Sequence, residues 1–308
     1  MSLIDVTDLT KVVPNGPNNR MALNKVSFRV EAGDSVCLLG PSRSGKTTLA
    51  RLLAGLSLPT SGEAHINGFD PCDPRARMAL EYVPERPVFP PHLTALGAMR
   101  IAARMSGQTG ADFVPAIESV LESLDMAKWA DTKVRKLTPD MAKRLAFGVA
   151  MIGQPECLMI DEPFGKVEAA TRGMVAKLLN TLATNGTTLV ILSHSLASVS
   201  HLVRRVLILH HGAVLREVPI NELVLEAKQV EIEADIGEKL IELEPRVGRV
   251  LSVSRKRLLV ELDREEAINE IIDYLRIQRI SIHAVRHYHP SPDSKWLDMV
   301  LREEGVVA

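Results

Sequence analysis

Residues 35–48 read Ser35-Val36-Cys37-Leu38-Leu39-Gly40-Pro41-Ser42-Arg43-Ser44-Gly45-Lys46-Thr47-Thr48, and this stretch decides the fold. Gly40 to Thr47 satisfies the pattern G-x-x-x-x-G-K-[ST]. The run Ser35 to Leu39 before it suits a buried parallel strand. From Thr48 to Leu56 the leucines Leu49, Leu52, Leu53 and Leu56 fall at helical spacing. Strand, glycine-rich loop and helix is the context in which this pattern cradles phosphate. Gly40 and Gly45 let the backbone curl so that its N–H groups face phosphate oxygens. The N-terminus of the next helix adds positive dipole character. Lys46 is placed to reach the terminal phosphates and Thr47 to put its hydroxyl on Mg²⁺; Pro41, Ser42, Arg43, Ser44 and Thr48 complete the cradle. A chance glycine-rich turn is the bland alternative, and the intact flanks count against it.

The rest of the composition is unremarkable for a globular protein. At 308 residues, 46% hydrophobic and 24% charged, the chain suits one large domain or two smaller ones. A formal net charge of -1 gives no global pull toward nucleic acid or anionic membrane. No apolar run is long enough to cross a bilayer, and no secretory leader is expected. Cys37, Cys72 and Cys157 lack metal-ligand spacing. Cys37 and Cys157 fall in apolar strands and read as small buried hydrophobes of a reducing compartment.

A second segment narrows the chemistry. Cys157-Leu158-Met159-Ile160-Asp161-Glu162 is an apolar strand ending in two carboxylates. Asp161 suits a ligand of Mg²⁺. Glu162 suits the group that polarises an attacking water. An acidic pair after a strand can also be a helix N-cap; the phosphate loop upstream favours the catalytic reading. Thr187 to Leu192 is another apolar strand, followed by Ser193-His194-Ser195. A histidine at a strand's C-terminal end faces the ligand crevice of an α/β protein. His194 is therefore read as a γ-phosphate contact rather than a satisfied surface group.

With these elements in order, the chain resembles the ATP-binding subunits of ABC transporters over roughly residues 1–218. Leu9-Thr10-Lys11 and Ala22 to Phe28 look like that family's opening antiparallel strands. Ser61-Gly62-Glu63 through Gly68 matches a family segment, and Gly153-Gln154-Pro155-Glu156 precedes the acidic strand as expected. Thr94 to Trp129 fits the family's helical subdomain. Several positions depart from the family pattern. Val12-Val13 stand where an aromatic usually stacks on adenine. Glu85 replaces a glutamine that touches Mg²⁺ and water. The signature loop, usually L-S-G-G-Q/M, is Leu137-Thr138-Pro139-Asp140-Met141. Pro139 has no N–H to donate. Asp140 would set a negative charge against a docking γ-phosphate. Lys143-Arg144-Leu145 matches the family's "QRL". Glu168 aligns with the dimer-contact aspartate, and Phe164 replaces a small polar residue.

The fold implied is an α/β phosphate-loop core: a mixed sheet with helices, an antiparallel β subdomain and a helical subdomain, over residues 1–218. A small α+β extension over 219–308 follows, with Pro219 to Lys228 as connection. There Val230 to Ala234, Glu238 to Leu243, Val250 to Ser254, Leu258 to Leu262, Arg264 to Leu275 and Ile280 to Val285 read as β-α-β-β-α-β, a split βαβ pattern. Pro292 to Val300 closes it. Arg255-Lys256-Arg257 reads as a solvated hairpin tip. His283, His287 and His289 fall on one strand face, a weak pointer to metal.

The resemblance implies an ATPase of the exporter-like branch, working with ATP and Mg²⁺ on the cytoplasmic face of the cell membrane. It implies a membrane-spanning permease and a second ATP-binding subunit as partners, with no nucleic acid. Glu162 and His194 would be catalytic, Thr47, Asp161 and Glu85 would hold Mg²⁺, and the signature loop would act in trans. The surface after Glu85, around Phe89-Pro90-Pro91-His92-Leu93, would meet the permease. The Asp140 and Pro139 departures point to a heterodimer. Two rival readings remain open: a nucleotide-dependent scaffold that scarcely hydrolyses ATP, and a soluble ABC ATPase unconnected with transport.

Overall fold

The computed structural model describes residues 2–15, 18–107, 113–223, 229–237, 247–262, 264, 267–288 and 292–303. The chain opens with β1 (Ser2–Asn15) and β2 (Asn18–Glu31), then β3 (Ser35–Leu39), α1 (Lys46–Leu53), β4 (Ser61–Ile66), α2 (Pro74–Ala79) and β5 (Leu80–Val83). A helical stretch follows: α3 (Ala95–Met105), α4 (Phe113–Ser123) and α5 (Pro139–Ile152). Next come β6 (Cys157–Asp161), α6 (Ala169–Thr184), β7 (Thr188–Ser193), α7 (Leu196–Val199), β8 (Arg205–His210), β9 (Ala213–Pro219) and α8 (Ile220–Leu223). A six-stranded sheet runs β5-β6-β7-β3-β8-β9; its first five strands are parallel and β9 is antiparallel. A separate antiparallel sheet has the order β2-β1-β4. This is the α/β core expected from the sequence: a mixed sheet with helices plus an antiparallel β subdomain.

The central strands are apolar throughout because both faces of the sheet are covered. Cys37, Leu39, Leu158, Ile160, Leu189, Ile191, Val206 and Ile208 face one core, shared with α3, α4 and α5. Their alternates Val36, Leu38, Cys157, Met159, Val190, Leu192, Leu207 and Leu209 face a second core, shared with the antiparallel sheet and α1. Cys37 and Cys157 are fully buried, as their strand positions foretold. Helix α1 stops at Leu53, short of the Leu56 expected from spacing. Gly55 (φ 65) closes it. Gly55 N donates to Leu52 O at 3.0 Å and Leu56 N to Arg51 O at 2.8 Å, the pair of bonds of a Schellman C-cap. Leu56 is consequently exposed.

The remaining elements are β10 (Gln229–Ala234), β11 (Gly248–Val253), β12 (Arg257–Leu262), α9 (Ala267–Ile277), β13 (Ile282–Tyr288) and α10 (Pro292–Glu303). The strands form an antiparallel sheet in the order β11-β12-β10-β13. That order, with β12 between the first two strands of the unit, is the one a split βαβ arrangement requires. Its own core joins Val230, Ile232, Val260 and Leu262 to Ile271 and Leu275 of α9. The helix expected at Glu238 to Leu243 lies outside the described residues, as do the end of the expected connection and His289.

The expected boundary at 218/219 needs correction. Contacts group Met1–Leu223 with Trp296–Ala308 in one unit and leave Val224–Lys295 as the other. The physical reason is apolar burial. Trp296 (2% exposed) and Val300 belong to the first core, together with Val218 and Leu223. The segment read from sequence as the close of the extension therefore completes the core of the first unit.

Candidate functional site

Strands β5, β6, β7 and β3 lie in that order, and the C-terminal end of each carries one part of the site. This edge of an open α/β sheet is where ligands bind. After β3 the chain curls through Gly40 to Gly45 and enters α1 at Lys46. Gly45 has φ 110. A Cβ on it would lie 2.7 Å from the Ala22 carbonyl oxygen, and one on Gly40 would lie 2.2 Å from that of Leu209. Both glycines answer to close packing against β2 and β8 as well as to the curl. Lys46 is charged yet buried. Its Nζ donates to the carbonyls of Gly40 (2.7 Å) and Pro41 (3.0 Å). Burial lowers its pKa, against the pull of Glu162 and Asp161, which raises it. An ammonium so placed can exchange a carbonyl for a phosphate oxygen with little rearrangement.

Asp161, at the end of β6, is buried. Its Oδ2 accepts from Thr47 Oγ1 at 2.8 Å and from the Tyr82 hydroxyl at 3.3 Å. Burial raises the Asp161 pKa, the Thr47 hydrogen bond opposes that, and the neighbouring Glu162 adds to it. Thr47 and Asp161 thus offer oxygen donors side by side, with Glu85 on the wall of the same cavity. Oxygen donors suit Mg²⁺, which binds through one or two carboxylates plus phosphate oxygens and water. Among the described residues no group of three or more His, Cys, Asp or Glu could hold a metal ion. The hydroxyl of Thr47 and the carboxylate of Asp161 are hard oxygen donors of the kind an ion shared with a bound phosphate takes.

Glu162 follows the strand with φ 49, a left-handed backbone that turns its side chain toward the end of β7. Its Oε1 accepts the His194 backbone N–H at 3.0 Å and lies 2.7 Å from the His194 ring Nδ1. The sequence assigned Glu162 to water and His194 to phosphate separately; the structure puts them in direct contact. Ser42, Lys46, Thr47, Glu85, Asp161, Glu162 and His194 line one cavity of about 620 Å³. Thr48, Gly45 and the β1–β2 hairpin border a smaller one of about 170 Å³.

At Asp140 the structure corrects the sequence reading. Thr138 caps α5, its Oγ1 accepting from Met141 N at 3.2 Å. Pro139 occupies the first turn, where a missing N–H costs the helix nothing. The Asp140 carboxylate does not face outward. It is buried: Oδ1 accepts from Glu168 N at 3.0 Å, and Oδ2 accepts from Thr171 Oγ1 at 2.8 Å and Arg144 Nε at 3.0 Å. Its charge is compensated within the chain. Leu137 and Met141 pack partly buried against the first core, and Glu168 meets Asp140 through its backbone N–H.

One residue escaped the sequence reading. Lys143 is 2% exposed, and its Nζ donates to the carbonyls of Pro84 (2.9 Å) and Asp161 (3.0 Å). Burial draws its pKa down to about 8. This ammonium joins α5 to the segment before Glu85 and to the strand end before Glu162. The available signal was a lysine four residues before Phe147 on the buried stripe of α5.

Known proteins resemble this chain in sequence and in fold. Residues 23–165 match the family model described as ABC transporter. The chain is 26% identical over 305 residues to the spermidine/putrescine import ATP-binding protein PotA of Nitrosomonas europaea, covering 95% of this chain and 82% of that one. It is 28% identical over 251 residues to the Nod factor export ATP-binding protein I of Rhizobium etli, covering 80% and 78%. Among solved structures, the dimeric structure of a bacterial ABC transporter cassette superposes with a TM-score of 0.63 at 26% identity, covering 70% of this chain and 98% of the other.

Proposed function

We propose that the ABC transporter ATP-binding domain carried by this chain binds and hydrolyses ATP to drive a separate membrane-spanning permease. The observation that carries this reading is the contact of Glu162 with His194 beside Lys46, Thr47 and Asp161. It sets a carboxylate, a histidine, a buried ammonium and a pair of oxygen donors around one cavity. In this reading the loop's N–H groups and Lys46 hold the β- and γ-phosphates. Thr47, Asp161 and Glu85 would hold Mg²⁺, which would supply charge neutralisation. Glu162 accepts a proton from the attacking water, oriented by its bond to His194 N–H, while the His194 ring faces the γ-phosphate.

The partners follow from the same reading. The domain closes with a second ATP-binding subunit around two nucleotides, on the cytoplasmic face of the cell membrane, with the surface around Phe89 against the permease. At the start of α5, Pro139 has no N–H, Met141 N is capped by Thr138, and Ala142 N donates to Thr138 O at 2.9 Å. Only Asp140 N remains in that turn to receive a partner's γ-phosphate. This supports a heterodimer in which the other subunit brings a fuller signature loop.

Export is the direction we favour, on the Pro84-Glu85 segment and the Nod factor relative. Import is the second reading, favoured by the polyamine-import relative aligned over 95% of the chain.

Glu162→Gln tests the chemistry. The variant should bind MgATP with unchanged affinity while turnover falls about 10²- to 10⁴-fold. Wild-type turnover in Glu162→Gln would remove this residue from catalysis. Reconstitution in vesicles with candidate polytopic membrane proteins, followed by transport assays, decides the direction.

A further inference from the structure

The smaller cavity beside the phosphate loop carries an inference about nucleotide recognition, one that rests on the ATP reading above. Arg43, Lys46 and Thr47 line both cavities, so the two flank the same loop. For a ligand whose phosphates occupied the loop at Lys46, the smaller space would lie within reach past Thr47. The far wall of that space is the β1–β2 hairpin. Val13 and Arg20 face each other there as cross-strand partners, and among the described residues no aromatic side chain lines the cavity. Arg20 is also tied to the loop itself: its Nη2 donates to the Arg43 carbonyl at 2.8 Å.

We propose that Arg20 is the residue against which this site holds the nucleotide's base. The chemistry matches a purine. A guanidinium is planar and weakly hydrated, and it stacks on aromatic faces by combined cation–π and π contact. One N–H is engaged by the Arg43 carbonyl, which fixes the plane beside the loop. The other N–H groups stay available to acceptors on the base or ribose. Val13 supplies an aliphatic contact alongside. A hairpin arginine thus does the work of the absent aromatic ring, and its anchor on the loop sets the distance between base and phosphates.

The alternative role for Arg20 is purely structural, a staple that holds the phosphate loop in shape. The two roles separate when ATP is compared with inorganic tripolyphosphate, both as Mg²⁺ complexes, by calorimetry on the full chain. With base stacking, Arg20→Ala weakens ATP about tenfold, the scale of one cation–π contact. It leaves tripolyphosphate affinity unchanged, and Arg20→Trp recovers ATP. Two results overturn the inference: equal losses for both ligands in Arg20→Ala, which is the staple, or no loss for ATP. Wild-type protein that binds neither ligand would instead overturn the nucleotide reading on which it rests. Lys46→Ala serves as the control that weakens both ligands together.

Discussion

Single residues show where burial, rather than charge pairing, governs this protein's chemistry. Glu81 on β5 is the clearest case away from the cavity. Burial alone pushes its carboxyl up to about 7. Its folded-state pKa lies above the unfolded value of about 4.3, so the folded state binds more protons than the unfolded state between those pH values. Stability from this group is complete below about pH 4 and is lost as pH rises through 7. Glu81→Gln should flatten that part of the stability–pH curve and leave the protein more stable than wild type above pH 7. Urea denaturation at pH 5 and pH 8 checks it; identical pH dependence in the two proteins would show that the carboxyl is not desolvated. The backbone curl from Gly40 to Lys46 was legible in the sequence, because glycines and a lysine at fixed spacing describe one local backbone shape. Lys143 and Arg20 were not legible in that way. Each acquires its role from a partner brought up by folding: Lys143 from Pro84, 59 residues away, and Arg20 from Arg43, 23 residues away.

Among the elements, α5 shows how far local sequence reaches. Its start was readable, since threonine followed by proline is a strong helix-start signal. The direction of Asp140 was not, because the groups that turn it inward sit on α6 and just before it. Arg144 lies one turn further along α5 itself. Removing the carboxylate leaves a mostly covered guanidinium and the Glu168 N–H without their acceptor. Asp140→Ala should therefore destabilise the protein by about 3–5 kcal/mol. Asp140→Asn should cost less, because an amide oxygen can still accept from Glu168 N. Unchanged stability in Asp140→Ala, with faster ATP hydrolysis, would restore the outward-facing reading. The strands β3, β6 and β7 were legible almost to the residue, for burial on both faces leaves few polar positions to confuse the pattern; the short β5, half-buried at Glu81 and Tyr82, gave no such run. The end of α1 was misread by three residues, although Gly55 stood in the sequence as the signal for it.

At the scale of the molecule, the order of elements and the order of cores part company. The core shared with the helical stretch draws on residues from Cys37 to Val300. Trp296→Ala should destabilise the first unit by about 3–5 kcal/mol, the cost of removing a buried Trp side chain. A chain ending at Val218, which a boundary at 218/219 would call a whole domain, should be less stable than the full chain and bind ATP more weakly at 37 °C. Thermal unfolding followed with and without MgATP measures both. A truncated chain with the melting temperature of the full one would show that α10 is an ornament. The position of Trp296 also has a consequence in time. Synthesis runs at about 5–20 residues per second. The ribosome therefore spends roughly 4–15 s between delivering Leu223 and delivering Trp296. Throughout that interval every strand of the six-stranded sheet is already outside or within the exit tunnel, while one apolar surface of the emerging domain waits uncovered. A nascent chain arrested in that window should recruit a holdase chaperone, and the full chain, carried clear of the exit tunnel on an appended flexible linker, should release it.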